Sequence, residues 1–150
     1  MSRCKYKTVI IIAVLAALVV AFIWSNSCKS QEESSAQSSV VASFLRQILD
    51  PNGRIPDGSF HHYVRKAAHF AEFAILGGLI GILFQEMRLR SGWAGYLLAV
   101  LPVLLVAVLD EFIQRFTGRG SGVSDVILDC FGGIFGLAIV LLAGYLKKKK

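Results

Sequence analysis

Four long blocks of apolar residues constrain what this chain can fold into more than any other feature. A bilayer-spanning helix needs about 20 consecutive and mostly apolar residues, and each block approaches that length. Charged residues make up only 17% of the chain, against about 25% in ordinary soluble domains. This composition excludes a soluble enzyme with a conventional core, and we predict an all-α, four-span transmembrane helical bundle. The predicted spans cover residues 8–24, 67–84, 93–109 and 126–146.

The segment between the first two spans, residues 25–64, is predicted to be an outer loop. Its Ser-rich part, residues 31–39, is polar, and we expect it to be irregular. Residues 40–49 carry apolar side chains at helical spacing, which predicts a short amphipathic helix on the membrane face. The 150 residues leave little room for a second folded domain, so we predict a single membrane domain over residues 1–150.

The first span has a basic start and is followed by the small polar residues 25–27. A retained transmembrane helix and a cleaved signal peptide both fit this pattern, and we favour the retained helix. The three cysteines, Cys4, Cys28 and Cys130, are scattered along the chain. Such spacing gives neither a disulfide framework nor a zinc signature.

The net charge of +6 would permit a nucleic-acid partner, but the positions of the basic residues argue against one. Nine of the 16 Lys and Arg lie in short segments beside the spans, at residues 3–7, 88–90 and 147–150. Basic flanks of this kind are topology signals, and they predict that both termini are cytoplasmic. The sequence has no stacking motif or basic reading helix, so we predict no nucleic-acid partner.

In this topology the polar residues at the span ends gather on the outer side. Arg65, His69 and Glu72 are four and three residues apart, so they share one helix face. An ionisable group costs about 2.5–3.5 kcal/mol at the bilayer centre, and such groups therefore tend to face the bundle interior. His61 and His62 precede the span and are expected to be exposed loop residues. We predict a polar cup formed by Arg65, Lys66, His69, Glu72, Glu111, Gln114, Arg119, Asp125 and Asp129.

Two interpretations of the polar cup are open. In the first, it receives the polar part of a membrane lipid or lipophilic envelope ligand, with or without acid–base chemistry. In the second, the charges form only an inter-helix clamp in a non-catalytic scaffold or binding protein. In the first interpretation, anion contact is assigned to Arg65, Lys66 and Arg119, acid–base chemistry to His69 and Glu72, and their orientation to Glu111, Gln114, Asp125 and Asp129.

A bound metal ion is a further option for the polar cup. Oxygen ligands are abundant there, and a hard divalent cation prefers such ligands. No carboxylate pair in the sequence has a spacing that is diagnostic of a metal site. We therefore predict no metal and no other cofactor.

Three motifs resemble those of the VanZ-like family. They are RKAAHFAEFAILG at residues 65–77, DEFIQRF at 110–116 followed by Gly118-Arg119, and Ser124-Asp125 with Asp129 and Gly132-Gly133. The family more often has Asn at the position of Asp129, so this chain carries an additional carboxylate there. The namesake is an accessory protein of glycopeptide-resistance clusters in Gram-positive bacteria, and it is associated with reduced susceptibility to teicoplanin. The resemblance implies a multi-pass protein of the bacterial plasma membrane that is connected with lower sensitivity to lipoglycopeptides. Together with the polar cup, it leads us to expect a protein that binds or modifies an envelope amphiphile at the outer leaflet. It leaves open whether the protein is an enzyme and what its oligomeric state is.

Overall fold

Five α-helices account for nearly all of the residues that the computed structural model describes, which are 3–87, 93–118 and 122–149. Four of the helices are long and apolar enough to cross a membrane. The predicted all-α, four-span bundle is confirmed, and each predicted span lies inside a longer helix. In chain order the helices are α1 (Arg3–Ser27), α2 (Gln31–Leu49), α3 (Asp57–Glu86), α4 (Trp93–Phe116) and α5 (Val123–Lys149).

The segment that was predicted to be a loop is largely helical. The Ser-rich residues 31–39 form the first half of α2, so the expectation of an irregular segment there was wrong. A capping box explains the difference. The Glu33 backbone N–H donates to the Ser30 hydroxyl, and the Ser30 N–H donates to the Glu33 carboxylate, which satisfies two donors that a helix start leaves open. Residues 40–49 form the second half of α2. The short amphipathic helix predicted for them, and its position on the membrane face, stay a prediction.

The turn between α2 and α3 is held by two charged side chains. The Asp50 carboxylate accepts hydrogen bonds from the backbone N–H groups of Arg54 and Ile55, at 2.8 and 2.9 Å. The Arg46 guanidinium donates to Asp57 and to the Ile55 carbonyl. The Ile55 hydrogen bond lowers the pKa of Asp50, and the Arg54 hydrogen bond and the Arg46 charge act in the same direction. These contacts let α3 begin at Asp57, ten residues before the predicted span, so His61 and His62 lie in its first turns.

Helices α3 and α5 form the most extensive helix pair of the bundle. Gly77 and Gly81 of α3 lie four residues apart, as do Gly132 and Gly136 of α5. This spacing predicts a close approach of the two helix backbones. A Cβ added at Gly77 would overlap the Gly133 carbonyl oxygen, and one added at Gly136 would overlap that of Ala74. The glycine spacing therefore predicts the packing correctly, because only a residue without a side chain fits at these positions.

The centre of the bundle is apolar and takes side chains from all four long helices. Ile23 of α1, Phe73 of α3, Val103 of α4 and Leu137 of α5 belong to one buried cluster. Large apolar side chains such as Phe131 also cover the outside of the bundle. Because hydrocarbon needs no polar covering, this surface suits a bilayer. Among the described residues of the four long helices, the buried polar side chains lie at one end of the bundle.

Candidate functional site

The polar end of the bundle is where α1 and α4 finish and where α3 and α5 begin. Three contacts between helices define it. Asn26 Nδ2 of α1 donates to Glu72 Oε1 of α3 at 3.3 Å. Lys66 Nζ of α3 lies 2.9 Å from Asp125 Oδ1 of α5. The third contact joins α4 to α1, where Gln114 Nε2 donates to the hydroxyl of the adjacent Ser27 at 3.4 Å.

Buried acidic residues lie just below these contacts. Asp110 is 0% exposed and Asp129 is 2% exposed, and Glu111 is also buried. Gln114 Nε2 donates to Asp110 Oδ2 at 2.7 Å, as expected for two residues four apart on one helix. The carboxylates near Asp129, which include Asp110, Glu111 and Glu72, are close enough to act on its charge. Negative charge is therefore concentrated inside the bundle, where water screens it poorly.

His69 stands between two of these acids. Its Nδ1 lies 3.9 Å from Glu72 Oε2 and 3.9 Å from Asp110 Oδ2. Both distances suit an ion pair with a protonated ring and are longer than a hydrogen bond. The structure thus brings together the predicted acid–base pair of His69 and Glu72, and adds Asp110 as a neighbour from another helix. The catalytic role of the pair stays a prediction.

A small cavity of about 20 Å³ lies beside His69. Space of this size accommodates about one water molecule or one ion. Six of the nine predicted cup residues line it. The cavity is lined by His62, Arg65, Lys66, His69, Gln114, Asp125, Leu128 and Asp129.

A second and larger cavity of about 210 Å³ opens between α1, α2 and α3, and we call it the groove. Its lining combines apolar and polar side chains. The apolar residues are Phe22, Val41, Val64 and Ala68, and the polar ones are Asn26, Ser34, Gln37, Ser38, Arg65, His69 and Glu72. The sequence analysis did not predict that α1 and α2 contribute residues to this groove. The only signal was the polar end of the first span, residues 25–27, which also fits a signal peptide.

The basic residues of the site differ in their partners. Lys66 is engaged by Asp125. Arg65 lines both the small cavity and the groove, and within residues 3–87, 93–118 and 122–149 no carboxylate lies within ion-pair distance of it. Arg119, the third predicted anion contact, lies outside the described residues. Arg65 is therefore a cation that lines the described site without an acidic partner there, so it is available to an anionic ligand.

Four membrane-length helices that enclose a polar cluster at one end define a multi-pass helical membrane protein. The chain belongs to the VanZ/LLP1 family, whose model matches residues 9–144. This confirms the resemblance seen in the three sequence motifs. Comparison with curated proteins and with solved structures gives no match.

Proposed function

We propose that the protein binds an anionic envelope amphiphile in the groove between α1, α2 and α3. The observation that carries the proposal is the position of Arg65. Its side chain is half-buried and lines the groove, and no described carboxylate pairs with it. A charge in a poorly solvated place is costly unless it is paired, so Arg65 favours the entry of an anionic group.

The size of the groove suits one end of such a molecule. A cavity of roughly 150 Å³ is enough for a benzene-sized guest, and the groove offers about 210 Å³. It would take a head group together with the first carbons of a chain. Phe22 and Val41 line the groove and are also exposed on the outside of the bundle. The rest of a hydrocarbon chain would pass these two residues into the lipid.

The groove lies at the end of the bundle that is opposite both chain termini. Since the basic flanks predict cytoplasmic termini, we propose that the groove faces the outer leaflet of a bacterial plasma membrane. An envelope amphiphile held there would alter the membrane surface that a lipoglycopeptide such as teicoplanin meets, and sensitivity to the antibiotic would fall. His69 and Glu72 line the same groove, so acid–base chemistry on the bound head group belongs to this proposal as a second step.

The second candidate function is the inter-helix clamp, and specific contacts favour it. Lys66 and Asp125 join α3 to α5, and Asn26 and Glu72 join α1 to α3. In a clamp these side chains serve only to fix the helices. Their loss would then lower the stability of the protein, and ligand binding would not be part of its function.

One substitution separates the two candidates. Arg65→Gln removes the charge that the first proposal needs and breaks no described ion pair. Arg54→Gln is the matched control, because Arg54 is exposed in the turn before α3. The full chain is purified in mild detergent, and mass spectrometry quantifies the co-purifying anionic lipids and wall precursors. Thermal unfolding of the same samples is followed by circular dichroism.

For amphiphile binding we expect Arg65→Gln to lose most of the bound anionic lipid at an unchanged melting temperature. Arg54→Gln should retain it. Cells that carry Arg65→Gln should also become as sensitive to teicoplanin as cells without the protein. If Arg65→Gln retains the lipid at the level of the control, the proposal is contradicted, and the inter-helix clamp remains as the interpretation of the polar end.

A further inference from the structure

Three side chains from three different helices bring metal-binding atoms together at the polar end. His69 belongs to α3, Asp110 to α4 and Asp129 to α5. One ligand atom from each lies within 4.8 Å of the other two. A nitrogen and two carboxylate oxygens form a mixed donor set that suits zinc or manganese.

A second and independent observation is the burial of the Asp129 carboxylate. Its side chain is 2% exposed and lines the small cavity of about 20 Å³. Within the part of the chain that the structure describes, it has no hydrogen bond and no basic residue within ion-pair distance. The neighbouring carboxylates of Asp110, Glu111 and Glu72 add like charge. A carboxylate in this position needs either a proton or a positive ion.

We propose that His69, Asp110 and Asp129 bind one divalent transition-metal ion of the zinc or manganese type. A single divalent ion would neutralise the charge of two carboxylates at once, which a lone proton cannot do. The small cavity leaves space beside the ion for about one water molecule as a further ligand. This site goes beyond amphiphile binding and does not depend on it, because Arg65 takes no part in holding the ion.

The geometry needs only a small adjustment. Two ligands at about 2.1 Å from a zinc ion lie roughly 3.4 Å apart in a tetrahedral site. His69 Nδ1 and Asp110 Oδ2 are 3.9 Å apart, and no pair of the three ligand atoms is more than 4.8 Å apart. Gln114 already donates to Asp110 Oδ2 at 2.7 Å. Such a hydrogen bond orients a carboxylate toward a metal.

The test begins with the unmodified full chain in detergent. The protein is stripped with a chelator, dialysed, and incubated separately with ZnCl₂ and MnCl₂. Bound metal per chain is then measured by inductively coupled plasma mass spectrometry and the affinity by calorimetric titration. We expect one ion of zinc or manganese per chain and a higher melting temperature than that of the stripped protein.

Two ligand variants and one control complete the experiment. Asp129→Asn and His69→Gln should each weaken binding by about tenfold or more, because a lost ligand costs at least as much as a lost supporting hydrogen bond. Asp57→Asn changes a side chain that is 85% exposed on the same helix as His69, and it should bind like wild type. Arg65→Gln should also keep the metal, which separates this site from the groove.

Two results would overturn the metal site. The first is less than about a tenth of an ion per chain with either salt and no shift of the melting temperature, which would mean that protons neutralise the acids. This measurement needs no variant, so it decides the question even if the substituted proteins fail to fold. The second is equal binding by Asp129→Asn and wild type, which would mean adventitious metal.

Discussion

The close approach of α3 and α5 can be tested at two neighbouring glycines. A Cβ added at Gly77 would overlap the Gly133 carbonyl oxygen, which is a backbone atom. A Cβ added at Gly78 would have the Val140 side chain as its nearest neighbour, at 3.8 Å, which is ordinary contact. Gly77→Ala and Gly78→Ala therefore add the same methyl group one residue apart on one helix, and only the first creates a clash.

The expected magnitudes follow from these distances. Ala in place of Gly inside a helix raises the free energy of unfolding by up to about 1 kcal/mol, because the unfolded chain has less conformational freedom with Ala than with Gly. Gly78→Ala keeps this gain. At Gly77 the overlapped atom belongs to a helix backbone and cannot rotate away, so α3 and α5 must separate. Overpacking costs about 1–3 kcal/mol, and an overlap with a backbone atom lies at the upper end of this range. After subtraction of the gain of about 1 kcal/mol, we expect a net destabilisation of about 2 kcal/mol.

Thermal unfolding of the purified full chain, followed by circular dichroism in one detergent, measures the difference. For a chain of this length a loss of 2 kcal/mol lowers the melting temperature by roughly 5–8 °C. Gly78→Ala should melt at or slightly above the wild-type temperature. Equal melting temperatures for the two variants, or a lower one for Gly78→Ala, would refute the packing argument.

Three further predictions concern the site and its surroundings. Lys66→Asp should lower the melting temperature, and the additional change Asp125→Lys should restore most of the loss. A double-mutant cycle measures this restoration, and its absence would exclude a direct Lys66–Asp125 pair. The folded state lowers the pKa of Asp50, so its contribution is present above the unfolded value of about 3.9 and is lost as the pH falls through the lower folded value. The melting-temperature gap between wild type and Asp50→Asn should accordingly shrink below about pH 4, and a gap that is constant from pH 3 to 6 would contradict this. A Cys placed at Ser34 should react with an impermeant thiol reagent in intact cells and one placed at Lys149 should not; labelling at 149 would reverse the topology.

The sequence predicted the bundle and much of the polar end because both depend on local regularities. A membrane span must satisfy all its backbone hydrogen bonds internally, so each long apolar block had to be a helix. The spacing of Arg65, His69 and Glu72 placed these residues on one helix face. Because successive spans run in opposite directions, the ends of α1 and α4 and the starts of α3 and α5 lie at the same end of the bundle. Six of the predicted residues accordingly line the small cavity.

The parts that could not be predicted depend on contacts between distant residues. The helical first half of α2 rests on the capping box of Ser30 and Glu33, whose effect exceeded the weak helix preference of the serines. The cluster of His69, Asp110 and Asp129 has one member on each of three helices, so no spacing along the chain marks it. The prediction of no metal rested on the spacing of carboxylates along the sequence. It could therefore not take a cluster of three helices into account.

An inter-helix clamp alone would account for only part of the polar end. Lys66 pairs with Asp125 across two helices, as a clamp requires. Arg65 is the preceding residue, and it lines the groove and the small cavity without pairing with any described carboxylate, although Glu72, Asp125 and Asp129 line the same spaces. Asp129 shows the opposite imbalance, since it is buried beside other acids with no basic partner in the described chain. Both side chains line the small cavity, yet they are not within ion-pair distance of each other. A structure selected only to join helices would pair the two charges directly, whereas unpaired charges leave Arg65 to an anion and Asp129 to a cation.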